Sequence, residues 1–213
     1  MAMSTPSDLR TLVMHGLRLK GFAEAAGVGE AVGVAEADAK PVLDQLVADG
    51  LATYRDGKLS GFSLSKPGRE AHARLLADEL SDAGVRDVID GGYRQFLTLN
   101  TQLLEVCTKW QLRDVDGEST VNDHSDPAYD AGVIETLADL HAEVEPICND
   151  LGAALARFGS YGARLDHALQ RVRDGDTDWF TKPMIPSYHT VWFEMHEDLL
   201  CTLGIERGSE SAG

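Results

Sequence analysis

The sequence predicts a mainly α protein in two parts. An N-terminal unit of three helices and a two-stranded hairpin is followed by a C-terminal bundle of longer helices. Two observations carry this. Over the first 80 residues apolar positions recur at helical spacing, interrupted by two short runs around Asp56-Gly57. Beyond residue 93, three long segments each carry an apolar stripe at helical spacing. The expected division is a first unit over 1–80, a junction over 81–92, a helical unit over 93–207 and a disordered tail over 208–213.

The first helix lies in DLRTLVMHGLRLKGF, where Leu9, Leu12, Val13, Leu17 and Leu19 fall mostly at helical spacing. The glycine-punctuated FAEAAGVGEAVGV reads as a short helix and a turn. In the third segment Ala35, Ala39, Val42, Leu43, Leu46 and Val47 form one stripe, and Gly50 stands where a helix end favours glycine. Pro41 has no backbone N–H and suits a first turn, so this helix is expected to start near Lys40 or to have a distorted start. LATYRDGKLSGFSL then gives two short strands around Asp56-Gly57, a tight-turn pair. SKPGREAHARLLADEL restarts a helix. Helix, helix, helix, hairpin, helix is the order of a winged-helix unit.

The stretch LDQLVADGLATYRDGKLSGFSLSKPGREAHARLL resembles the recognition helix, wing and following helix of MarR-type winged-helix regulators. F-S-L-S-x-x-G-R, leaving the wing, is its best-matching part. The resemblance implies a homodimer that binds DNA, with the third helix in the major groove and the wing along the backbone. It assigns the DNA contacts to Lys40, Gln45, Arg55, Lys58, Lys66 and Arg69. The third helix also carries Glu36, Asp38, Asp44 and Asp49, and like charges oppose the approach of phosphates. The alternative expectation is a protein-interaction adaptor that keeps the winged-helix fold without binding DNA.

The chain of 213 residues has 19 Lys and Arg against 35 Asp and Glu, a formal net charge of −16. Residues 1–90 hold 10 bases and 14 acids, and 91–213 hold 9 and 21, so any DNA-facing surface belongs to the first part. The N-terminus lacks a basic segment followed by an apolar one, so no secretory signal is expected. No run has the length to span a bilayer. Cys107, Cys148 and Cys201 are widely spaced and odd in number, which fits reduced thiols in a cytoplasmic protein.

In the second part, FLTLNTQLLEVCTKWQ aligns Phe96, Leu99, Leu103, Cys107 and Trp110, with Asn100 and Gln111 inside the stripe. VIETLADLHAEVEPICNDLGAAL aligns seven apolar residues with His141 and Cys148 among them, and Pro146 is expected to kink it. SYHTVWFEMHEDLLCTLG aligns Trp192, Met195, Leu199 and Leu203, with His189 and His196 beside them. Polar groups on apolar faces need partners. Three readings follow: a closed hydrogen-bonded network, a metal site using histidines, or a small-molecule effector site lined by Trp110, Gln111, His141, His189, Trp192 and His196. No HExxH or comparable spacing supports a metal, so no metal or cofactor is expected. The loop between the first two segments gathers Asn122, Asp123, His124, Asp126 and Asp130. His124 there has the chemistry of a general base, the one feature favouring an enzyme. GDTDWFTKPMIPSY reads as a rigid strap over the bundle or a pocket lid. No P-loop, GxSxG or complete GxGxxG follows a strand, so no catalytic residues are assigned and a non-enzyme is expected.

Overall fold

The computed structural model describes residues 4–115 and 117–206. Three helices, α1 (Leu9–Lys20), α2 (Ala25–Val32) and α3 (Glu36–Ala48), lead into a hairpin of β1 (Ala52–Arg55) and β2 (Gly61–Leu64). α4 (Lys66–Ala83) and α5 (Arg86–Gln111) follow, then a second hairpin of β3 (Leu112–Val115) and β4 (Glu118–Val121). α6 (Pro127–Ala154), a 3-10 turn (Ala156–Ser160), α7 (Tyr161–Arg173), α8 (Asp178–Thr181) and α9 (Tyr188–Leu203) complete the chain. It is mainly helical, with a small antiparallel two-stranded sheet after the first three helices.

Local chemistry sets the helix ends. The Asp8 carboxylate caps α1 by accepting the Thr11 N–H at 3.0 Å, and the Ser187 hydroxyl caps α9 by accepting the Thr190 N–H at 3.3 Å. Ser65 caps α4 through the Gly68 N–H at 3.1 Å, while its own hydroxyl donates to the Gly50 carbonyl at 2.7 Å. Gly68 is required here, since a Cβ would stand 1.8 Å from the Leu51 carbonyl oxygen. The S-x-x-G pattern therefore locks α4 onto the segment entering β1. In the first hairpin Tyr54 faces Phe62 with ring centroids 4.7 Å apart. Phe62 also exchanges backbone hydrogen bonds with Ala23 at 2.8 and 3.1 Å.

Two apolar cores result. The smaller joins Val13, Met14 and Leu17 of α1 to Val28, Leu43, Leu46 and Phe62. The larger gathers Phe96, Leu103 and Trp110 of α5, Leu137, Val144 and Leu151 of α6, Tyr161 and Leu165 of α7, and Tyr188, Trp192 and Met195 of α9. Removing each such side chain from water contributes on the order of 2 kcal/mol before conformational entropy is subtracted. Leu80 of α4 belongs to the larger core, so α4 reaches from one to the other. Cys107, Cys148 and Cys201 are free, and burial pushes each thiol up to about 12.

Several features differ from the sequence expectation. α3 begins at Glu36, not near Lys40, and runs through Pro41. The missing Pro41 N–H strands only the Ala37 carbonyl, and Ala37 is exposed to water. Residues 81–92 are the last turn of α4, the pair Gly84-Val85 and the start of α5. The segment after Gln111, expected as a loop, forms the second hairpin, turning at Gly117 with φ 86°. α7 was not anticipated. α6 continues past Pro146. The expected tail over 208–213 lies outside the described residues. No described helix is long and apolar enough to cross a membrane.

Candidate functional site

The six residues assigned to DNA all lie on or beside the first hairpin and α3, but their side chains are engaged differently. Lys40 donates to both carboxylate oxygens of Asp44 at 2.6 Å, one turn along α3. Gln45 donates its amide to Asp49 at 2.7 Å, and Arg10 of α1 pairs with the same carboxylate at 2.9 Å. These bonds hold the Asp49 carboxyl below the usual carboxylate range. Arg55 lies over the Phe22 ring at 4.5 Å. Arg69 donates to the Leu64 carbonyl at 2.9 Å, a structural task that ties α4 to β2. Lys58 and Lys66 are exposed. Glu36, Asp38 and Asp44 on α3 and Asp49 at its C-terminal cap are all exposed.

The six residues assigned to an effector fall in four places. Trp110 is buried, with Phe180 of α8 stacked on it at 4.3 Å and the His124 ring tilted against it at 4.5 Å. The strap before α9 is thus packed through Phe180. Gln111 is exposed, because α5 ends there and the chain turns into β3. His141 of α6 meets the Tyr188 hydroxyl at 3.3 Å and lines a cleft of about 450 Å3 with Glu145, Cys148, Asn149 and Asp166. Burial holds this histidine below its ordinary value. His189, Trp192 and His196 lie together on α9 opposite Asn100 and Leu103 of α5, lining a cleft of about 190 Å3. There the Trp192 indole N–H donates to Asn100 Oδ1 at 2.9 Å, and the His196 ring lies 5.3 Å from Phe96. Burial also lowers His189. Among the described residues no three His, Cys, Asp or Glu side chains converge as a metal site.

A further cluster escaped sequence reading. α9 buries Glu194, Glu197 and Asp198 against α1 and α4. Asp198 is bound by Arg157 from the 3-10 turn and by the Tyr161 hydroxyl at 3.1 Å. His15 Nε2 lies 3.1 Å from the same carboxylate, and its Nδ1 faces His72 Nε2 at 3.1 Å. Arg157 also binds Glu79 of α4 at 3.0 Å and Thr202 at 2.6 Å. Lys20 and Arg164 both pair with Glu194, and Arg18 with Glu197 at 2.5 Å. Burial alone would raise the Asp198 carboxyl, but Arg157 and His15 hold it well below its ordinary range. Burial, reinforced by His15, Arg18 and Arg157, pushes His72 down to about 3. The single sequence signal was E-x-x-E-D on an otherwise apolar helix, which is indistinguishable from a solvated face without knowing what covers it.

Comparison with known proteins gives no matching family model, no matching curated protein and no matching solved structure.

Proposed function

We propose that the chain is a regulatory adaptor in which a winged-helix unit, residues up to 80, docks through α3 on a basic protein surface. The observation that carries this reading is the outward face of α3. It exposes Glu36, Asp38, Asp44 and Asp49, while Lys40 and Gln45 are held by Asp44 and Asp49. Phosphates meet like charge on such a face, whereas a basic protein patch complements it. The element order helix, helix, helix, hairpin, helix supports the winged-helix assignment. The test is fluorescence anisotropy with labelled genomic duplexes at low ionic strength, where no binding is expected. Binding that weakens steeply with added salt would overturn the adaptor reading.

A second reading is a MarR-like transcriptional regulator binding DNA as a homodimer. The exposed cations Arg55, Lys58 and Lys66 around the hairpin favour it. In that case Arg55→Glu and Lys58→Glu weaken binding to every duplex, because wing contacts are to phosphates, and Gln45→Ala relaxes sequence preference. The cleft of Asn100, His189, Trp192 and His196 is then the effector site. Both readings place the chain in the cytoplasm.

A further inference from the structure

The loop following the second hairpin holds a histidine that neither docking nor DNA reading uses. His124 has a φ of 58°, a left-handed backbone uncommon outside glycine and worth relating to function. Buried Asn122 enforces it, its Oδ1 accepting the His124 backbone N–H at 3.2 Å. The Asn122 side-chain amide donates to the Trp110 carbonyl at 3.1 Å and to Asp130 Oδ1 at 2.9 Å. Those two bonds use both of its hydrogens. The 3.3 Å approach of that amide nitrogen to His124 Nδ1 therefore leaves Nδ1 as the donor, and Asp130 Oδ2 accepts from it at 3.0 Å. With the proton held on Nδ1, the lone pair of the neutral ring sits on Nε2.

The surroundings leave the ring partly open to water. The ring rests on Trp110, itself backed by Phe180. The Asp130 side chain is 14% exposed and that of His124 37%, so the carboxylate is sheltered and the imidazole faces water. Among the described residues Nε2 makes no hydrogen bond to a hydroxyl, a thiol or any other group, its ring bonding only through Nδ1. A His–Asp pair without such a neighbour has its own imidazole as the available nucleophile.

We propose that His124 Nε2 is a nucleophile toward activated, uncharged acyl esters, with Asp130 and Asn122 as positioning residues. Nε2 attacks the carbonyl carbon, the new N–C bond forms, and the ester C–O bond breaks with its electron pair leaving on the alkoxide. Asp130 stabilises the cationic ring while the acyl group is attached. Water then adds to the acyl-imidazolium, the N–C bond breaks to release the carboxylic acid, the proton given up by water goes to the departed alkoxide, and the neutral ring returns with its proton on Nδ1. The local charge opposes anions: Asp123 and Asp126 flank His124 in the loop, and Arg113 lies 3.6 Å from Asp126. Phosphoryl donors are thereby disfavoured.

The experiment follows nitrophenolate release from p-nitrophenyl acetate by the full chain, beside free imidazole at equal concentration. The expected wild-type rate is at least about tenfold that of imidazole. His124→Gln removes the excess at an unchanged melting temperature, acid-quenched samples carry an acetyl group on His124, and p-nitrophenyl phosphate is untouched. Asp130→Asn lowers the rate and displaces its pH profile, which a purely structural role would not do. A wild-type rate equal to imidazole, an excess that survives His124→Gln, or equal turnover of the phosphate ester overturns the proposal. None of these outcomes depends on DNA or on a docking partner.

Discussion

The carboxylate of Asp198 on α9 lies 3.1 Å from His15 Nε2 on α1, inside a buried cluster that also holds Arg157. Removing one member of such a cluster strands a charge in low dielectric, which costs about 3–5 kcal/mol. Asp198→Ala is expected to lower unfolding free energy by that amount in urea titrations. A loss under about 1 kcal/mol would mean that water reaches Arg157 in the folded state.

Stability should fall in mild acid through His72. The folded chain keeps this ring neutral down to about 3, while its ordinary value is 6.5. Between those values only the unfolded chain takes up the proton, so protonation favours unfolding. The contribution is complete above about pH 6.5 and declines as the pH drops toward 3. Asp198 adds to the loss only at lower pH, below its ordinary value of 3.8. Melting temperatures taken between about pH 7.5 and about pH 4.5 should slope downward, and His72→Gln should flatten the slope. An identical slope in the variant would assign the acid sensitivity elsewhere.

Phe180 is expected to act as a structural plug. Its ring is fully buried against Trp110 at 4.3 Å. Phe180→Ala should cost about 3–5 kcal/mol by leaving a cavity. In a chain with Trp179 and Trp192 replaced by phenylalanine, the same change should shift Trp110 emission to the red. An unshifted spectrum with full stability would show that the strap is not needed to cover Trp110.

Gly68→Ala should damage the first unit more than its small size suggests. The added methyl would stand 1.8 Å from the backbone oxygen of Leu51, which cannot rotate aside. The expected loss is about 2 kcal/mol or more, with hydrogen exchange accelerating at the first hairpin. Wild-type exchange there would show that α4 moves away without disturbing the hairpin.

What the sequence made legible follows its periodicities. The stripes of Phe96, Leu99, Leu103 and Trp110, and of Leu137, Leu140, Val144 and Leu151, all face the larger core. α7 was missed although Tyr161, Leu165, Ala168, Leu169 and Val172 share a buried face, because arginines and glycine dilute a short pattern. The second hairpin was missed because its strands are four residues each and β4 lies wholly on the surface, so no buried alternation marks them. Buried Glu194, Glu197 and Asp198 were invisible for a different reason. Their partners Lys20, Arg18 and Arg157 lie far away in the chain, and pairing at that range is a property of the fold. His124 was noticed for its acidic neighbours, but only the Asn122 geometry fixes which nitrogen is free.

Only Gly84 and Val85 separate α4 from α5, and Leu80 of α4 is rooted in the larger core. The first unit is consequently not a portable cassette. Cutting the chain after α4 would leave Leu80 bare to water, and cutting before it would deprive the first hairpin of the helix that Gly68 seats against Leu51. Recombination between genes tends to exchange pieces that end in exposed linkers. A chain jointed this way is expected to be inherited as one piece, its two halves changing together.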